Sequence, residues 1–389
     1  MKLQDMIVLE MLQKLLEHIN KIYHNLVVEN KDLVEDLFGN MQIDIPYYED
    51  RTRISNSNIG WFLNKGPAFL HKMLTEPPPE ESTTAMERGT MIHEYILQPE
   101  EFQKDYVVWD KSRPSSAQQE KFCQALAFST EIEPNRAILS AYKEAYSTRA
   151  KSDDLMLSEG LKIASTLKDY IDFLKSNDQR KMIGPWDYRM LKEIRNNIEA
   201  HKLGQKIVWP DGWYSPYSYD PTAEKEFGSL PIEHYHEFHI NWEYYITENL
   251  NGKKVDCKSL LDSLTLNYET KTATIMDIKT TQKLWHFEDS VEMYDYLRQL
   301  MYYTHAVQWY LASEKGEDPG DWTFEYYILA IDTTGSYDVR VFGIEPDTVK
   351  TKMPIIQQAL TDIAWHLDKN KWEHSRGYYE GDGSESLIL

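Results

Sequence analysis

The sequence predicts a mixed α/β fold, a central mixed sheet with helices packed on both faces. Three observations carry this. Helical periodicity dominates the chain to about residue 205, the pattern changes to a period of two after residue 231, and an amphipathic helix separates the third strand of that region from the fourth.

The elements follow in order. Apolar residues at helical spacing from Leu3 to Tyr23 predict a helix over 2–38, stopped near Gly39-Asn40, whose stripe packs on the body of the protein or on a partner subunit. An acidic, turn-rich stretch runs from Asp44 to Asp50. Ser55 to Asn58 caps a short helix, Ile59 to Leu63, and Pro67 lets a second begin at Ala68. Pro77-Pro78-Pro79 with Glu80-Glu81 reads as an exposed connector. Thr83 or Thr84 caps a helix containing Met86 to Leu97, which Pro99 ends. Residues 112–205 read as a charged helical insertion with breaks at Pro134 and Gly184-Pro185, and Trp209 to Pro231 as an ordered loop. His234–Thr247, Lys253–Asn267 and Thr272–Lys279 alternate as strands, joined by a turn at Asn251-Gly252 and another over Tyr268–Lys271. A helix from Asp289 to Glu314 comes next. Strands Thr323–Asp332 and Tyr337–Ile344 flank a turn at Thr333–Ser336, and a helix over Pro346–Trp372 leads into a frayed tail. The expected organisation is an N-terminal helical extension 1–48, a main domain 49–376 that contains the insertion, and a flexible tail 377–389.

Composition narrows the chemistry. With 41 % hydrophobic and 13 % aromatic residues the chain can bury a core, which excludes a disordered protein. No apolar run reaches about 18 residues, so no membrane partner is expected. Asp5 and Glu10 interrupt the apolar N-terminal stretch and no small-residue cleavage site follows, so the expected location is cytoplasmic. Cys123 and Cys257 cannot supply the four thiolates of a zinc ribbon or an iron-sulfur cluster. Any metal must therefore be held mainly by oxygen or imidazole. The 42 basic against 63 acidic residues give a net charge of −21, which taken alone argues against nucleic acid.

The local patterns argue the other way. Asp262 lies on the second strand and Asp277 ends the third, so a tight turn between antiparallel neighbours brings the two carboxylates together. Asp277 and Lys279 share a face. Converging carboxylates repel unless a cation lies between them, and hard oxygen ligands favour Mg²⁺ or Mn²⁺. A lysine beside such a cation orients a water or neutralises charge at phosphorus. Alone, Asp-X-Lys is more often a surface ion pair. Three further features weigh against that: His93 on an apolar-faced helix behind Gly89, which leaves room for another backbone; Gln299 and Tyr303 four apart on the helix after the third strand, with Tyr296 a turn earlier; and Thr280-Thr281 where the chain leaves the sheet. A lone histidine at such a position is usually a satisfied core residue. Glu237 and Glu243, on the preceding strand, could each add a carboxylate or face solvent.

In this order the sequence resembles the RecB/RecE-like branch of the PD-(D/E)XK nuclease superfamily, most closely the phage and prophage exodeoxyribonuclease VIII (RecE-type) proteins. The resembling residues are Ser55-Asn56-Ser57, the block Ala85 to Phe102, Leu260-Leu261-Asp262, Asp277 to Thr281, and Tyr296 to Tyr303. The resemblance implies a restriction-endonuclease-like core and a metal-dependent exonuclease acting on linear duplex DNA from a free 5′ end. It implies Mg²⁺, with Mn²⁺ as a substitute, held by His93, Asp262, Asp277 and the Ile278 carbonyl. Lys279 would be the catalytic lysine, and Gln299 and Tyr303 would position the DNA strand. Residue 261 is Leu where the superfamily name has Pro, and the insertion leaves the DNA path undefined.

Further expectations rest on that resemblance: a single-strand annealing protein as partner, a homo-oligomer, and the bacterial host cytoplasm as location if the protein is phage-encoded. Phosphate contact would depend on Lys279, Thr280, the cation and nearby basic residues such as Lys65, Lys72 and Arg88. A catalytically silent DNA-binding or assembly module with the same fold, and a structure-specific endonuclease, stand as alternatives.

Overall fold

A computed structural model describes residues 45–76, 83–147, 151–210, 232–246 and 253–384. The expected N-terminal helix, the proline connector, the Asn251-Gly252 turn and nearly all of the 209–231 loop lie outside the described residues.

The first helices are set by their caps. The Ser55 hydroxyl accepts from the Asn58 amide while the Asn58 side chain accepts from the Ser55 amide, and this capping box starts α1, Asn56–Lys65. Then come α2 (Pro67–Thr75) and α3 (Thr84–Leu97), the latter capped by Thr83. Pro99 does not simply end α3; it opens α4 (Pro99–Asp105). Pro134 and Pro185 likewise open helices rather than interrupt them. The reason is common to all. In the first turn the missing amide hydrogen has no intrahelical partner to lose.

Two three-residue strands, β1 (Tyr106–Val108) and β2 (Lys181–Ile183), pair in parallel, and neither is visible as a strand in the sequence. Between them lie α5 (Ala117–Ala127), α6 (Pro134–Ala145), α7 (Asp153–Thr166) and α8 (Lys168–Lys175). These four helices close on their own core of Phe122, Tyr142, Met156 and Ile171. After β2, α9 (Pro185–Ala200) and α10 (Lys202–Val208) belong elsewhere: Leu191, Ile194 and Val208 pack with Ile92, Ile278 and Leu329 against the sheet. The span 112–205 is therefore two units and not one insertion.

The sheet has the order β3-β4-β5-β6-β7: Ile232–Tyr245, Lys254–Asn267, Thr272–Thr281, Thr323–Asp332 and Val339–Ile344. Only β5 and β6 are parallel. Their link passes through α11 (Phe287–Met293) and α12 (Tyr296–Ser313), the helical crossover that a parallel pair needs. The single helix expected over 289–314 is broken between these two because Asp295 adopts φ +50, a left-handed conformation that ends a helix. Asp295 is held there by Lys352 and Arg298. The last expected helix is also two, α13 (Pro346–Lys350) and α14 (Met353–Lys369), with Pro354 in the first turn of the second. The tail is not wholly frayed: α15 (Arg376–Glu380) packs back, with Tyr379 stacked on Trp365.

Both faces of the sheet are covered. Ala273, Ile275, Tyr326 and Ile328 meet α1, α2, α12 and α14 on one side; Met276, Ile278, Leu329 and Ile331 meet α3 and α9 on the other. A strand buried on both faces reads as a nearly continuous apolar run, as Tyr326–Ile331 of β6 does. No helix among the described residues is long and apolar enough to cross a membrane.

Candidate active site

β4 and β5 pair antiparallel from Asn267↔Thr272 to Ser263↔Met276, and there the ladder stops. The next opposed residues are Asp262 and Asp277. Past that point β4 takes a different neighbour: the Ile54 amide donates to the Asp256 carbonyl (2.9 Å) and the Lys258 amide to the Ile54 carbonyl (2.8 Å). The strands fork. Asp262 fills the fork, its Oδ2 accepting the Ile278 amide N–H at 2.6 Å. Strand alternation explains the chemistry at this spot. Leu264, Leu266, Ala273 and Ile275 face α12, and the same period carries Asp262, Asp277 and Lys279 onto that face where the apolar row ends.

Glu237 joins from the other side. On β3, His236 opposes Ser263 and Phe238 opposes Leu261, so Glu237 stands across from Asp262, yet this pair is missing from the ladder. Its φ of +47 is the cause. A left-handed non-glycine residue costs about 1–2 kcal/mol and persists only where surrounding contacts impose it. His93, from α3, completes the group: its Nδ1 lies 3.7 Å from Glu237 Oε1 and 3.6 Å from Asp262 Oδ2. Ligand atoms of His93, Glu237 and Asp262 all fall within 4.8 Å of one another. Burial and then the Glu237 charge push the Asp262 carboxyl upward against the pull of His93 and Lys279. Burial opposes protonation of His93, but Asp262 and Glu237 outweigh it and raise its pKa. An imidazole and two mutually repelling carboxylates, half-buried to buried, are a donor set suited to a hard divalent cation.

Beside this group lies a second pair. Lys279 Nζ contacts Asp277 Oδ2 and stands 5.0 Å from the centre of the Tyr296 ring. The Gln299 carboxamide donates to Asp277 Oδ1 (3.0 Å) and to the Tyr303 hydroxyl oxygen (2.8 Å), which leaves the Tyr303 proton for another acceptor. Burial, opposed by Lys279, raises the Asp277 carboxyl to about 6. Burial opposes the Lys279 charge, but Asp277 and Asp262 raise its pKa. Lys279 is thus a fixed positive charge rather than a base.

The expected residues separate into two sets. His93, Asp262, Asp277, Lys279, Gln299 and Tyr303 converge, while Ile278 contributes its amide to Asp262. Thr280 lies against α3, its Oγ1 3.8 Å from where a Cβ on Gly89 would sit, so Gly89 leaves no tight backbone approach. Lys65 is elsewhere: it stands over the Phe69 ring and lines a cleft of about 840 Å³ with Asp362, Glu373 and Arg376. Lys72 pairs with Glu76. Arg88, half-buried on α3, has no ion pair within 4 Å among the described residues. Glu243 bonds Lys254 and Tyr245, which removes it as a ligand.

Two histidines escaped the sequence reading. His236 bonds the Leu97 carbonyl at the end of α3 (3.0 Å) and the Val208 carbonyl of α10 (2.8 Å), and meets His234 Nε2 at 2.9 Å. They tie the strand that carries Glu237 to the helix that carries His93. Their signal was the alternation His234-Tyr235-His236, two imidazoles on one strand face next to an acid.

No family model and no curated protein matches the chain. Among solved structures it is similar to a crystal structure from Eubacterium rectale named "Putative exonuclease", with 13 % sequence identity and a TM-score of 0.41, over 90 % of this chain and 97 % of that one.

Proposed function

We propose that this protein is a metal-dependent DNA nuclease, an exonuclease that hydrolyses phosphodiester bonds of linear duplex DNA. The observation that carries the reading is the pairing, in one fork of the sheet, of a His93–Glu237–Asp262 donor set, Asp262 buried and the other two half-buried, with the Asp277–Lys279 ion pair. The sequence resemblance supports DNA as substrate and a 5′ end as the point of attack.

His93, Glu237 and Asp262 would hold the cation, with Asp277 at its edge; compared with the expected ligands, Glu237 enters the set and Asp277 turns toward Lys279 and Gln299. When bound, Mg²⁺ or Mn²⁺ lowers the pKa of a water and offsets the charge that builds on the phosphate oxygens. The chain's own groups do the rest. Lys279, protonated and fixed between Asp277 and Tyr296, orients the attacking water and stabilises negative charge on the phosphorane. Asp277 holds that lysine, and Gln299 holds Asp277. Tyr303, whose proton is not used by Gln299, can donate to a non-bridging phosphate oxygen. Water adds to phosphorus as the P–O3′ bond breaks, giving a 5′-phosphate and a 3′-hydroxyl.

The test is digestion of end-labelled linear and covalently closed circular duplex with Mg²⁺ or EDTA, beside Asp262→Ala and Lys279→Ala. Mg²⁺-dependent loss of linear DNA alone, abolished in both variants, is the expected result. Full activity in Lys279→Ala would overturn the mechanism. Cutting of closed circles would make the protein an endonuclease.

A further inference from the structure

Resting on the nuclease reading, we infer that Tyr294 stacks on a nucleobase of the strand being cut. Four aromatic rings form one continuous, near-parallel pile along the side of Lys279. Phe342 of β7 stacks on Phe287 of α11 (5.2 Å, 20°), Phe287 on Tyr296 (6.0 Å, 29°), and Tyr296 on Tyr294 (5.7 Å, 21°). The pile is anchored at its second ring: Phe287 is 1 % exposed. At the outer end Tyr294 is 60 % exposed, in the break between α11 and α12. A ring packed on Tyr296 and otherwise largely exposed loses little freedom when a flat π-system covers it.

The position of the pile identifies what covers it. Its third ring, Tyr296, is the one that Lys279 stands over, so Tyr294 lies one ring beyond the residue in contact with the catalytic ammonium. A strand whose phosphate reaches Lys279 brings an adjacent base to that level. Charge favours the base over the phosphate as the contacting group, because α11 carries Glu288, Asp289 and Glu292, none with an ion pair within 4 Å among the described residues. Backbone attraction is weak here. Affinity at this point comes from the ring face, and stacking of one base on an aromatic side chain contributes about 1–3 kcal/mol.

The experiment compares wild type, Tyr294→Ala and Tyr294→Phe for binding a fluorescent dT oligomer and an abasic oligomer of equal length, with Ca²⁺ replacing Mg²⁺ to prevent cleavage. Tyr294→Ala should weaken dT binding about 5- to 150-fold and leave abasic binding unchanged, and Tyr294→Phe should bind as wild type. Equal weakening on both oligomers, or no weakening on dT, overturns the stacking role while the nuclease reading stands. Failure of the wild type to bind either oligomer also overturns the stacking role, while the nuclease reading is judged by Mg²⁺-dependent digestion of linear duplex.

Discussion

Replacing Glu237 by Gln should leave the stability of the cation-free protein nearly unchanged while destroying its response to Mg²⁺. Glu237 and Asp262 offer oxygens within 4.8 Å of each other, with side chains only 15 % and 12 % exposed. At an effective dielectric of about 20, two unit charges at that separation repel by about 3 kcal/mol. Attraction of Glu237 to protonated His93 at 3.7 Å is about 4 kcal/mol on the same scale, so the two nearly cancel, to within about 1 kcal/mol. Gln keeps the size of the side chain and the left-handed backbone at 237, so the change isolates the charge. Thermal unfolding in EDTA should therefore move by no more than about 3 °C in either direction. With MgCl₂ at ten times its dissociation constant, wild type should gain about 1.4 kcal/mol and the variant almost nothing. A fall of several degrees in EDTA, or a Mg²⁺ gain equal to that of wild type, would refute the electrostatic account of the cluster.

Other outcomes follow from neighbouring contacts. Lys279→Ala should lower single-turnover cleavage about 10²- to 10³-fold while keeping the Mg²⁺-induced rise in unfolding temperature, because the lysine is outside the donor set. In EDTA, stability should decline as pH climbs from about 4 past 6: folded Asp277 keeps its proton up to about 6, the unfolded chain releases it near 3.8, and every rise within that window favours the unfolded state. Asp277→Asn should flatten that part of the profile, and a profile that rises instead would show that the carboxyl is not held protonated by burial. Asp295→Asn should cost about 3–5 kcal/mol in urea unfolding, since Arg298, 7 % exposed, has Asp295 as its ion partner. Gly160→Ala should cost about 1–3 kcal/mol by calorimetry, because its Cβ would meet Ile138 Cγ2 at 2.7 Å; Ile138→Ala should recover part of the loss.

The sheet was readable from residue to residue because its two patterns are local. Alternation marks β3 to β7 within a residue or two, the same alternation puts Asp277 and Lys279 on one face, and the tight turn between antiparallel strands brings Asp262 near Asp277. Helical spacing did the same for Gln299 and Tyr303. What escaped depends on long-range or single-residue causes. Nothing in the sequence around Asp295 separates a left-handed break from a helical aspartate, since the two arginine and lysine contacts that hold it come from Arg298 and distant Lys352. Glu237 was left between two roles because its backbone twist, not its residue type, turns it toward Asp262. β1 and β2 are three residues each and about 75 positions apart, too short for periodicity to register. The division of 112–205 is a matter of which core each helix shares, and amphipathic faces look alike whatever they pack on.

The fork between β4 and β5 bears on when, during synthesis, the site first comes together. Its free edge is closed by Ile54, which β4 cannot meet until Asp256 and Lys258 have been synthesised, and the Tyr302 hydroxyl then donates to the Ile54 carbonyl. Lys258 also fastens the carbonyls of Tyr47 and Asp50. At about 5–20 residues per second, the ribosome needs roughly 10–40 s to cover the distance between those partners. Until that interval has passed, His93 is in place without Asp262, and the carboxylates have no fork to converge in. A nascent chain interrupted before residue 300 would lack Tyr303 and the helix that seals the site. Topology alone thus withholds assembly of the site until the chain has been made past Tyr303.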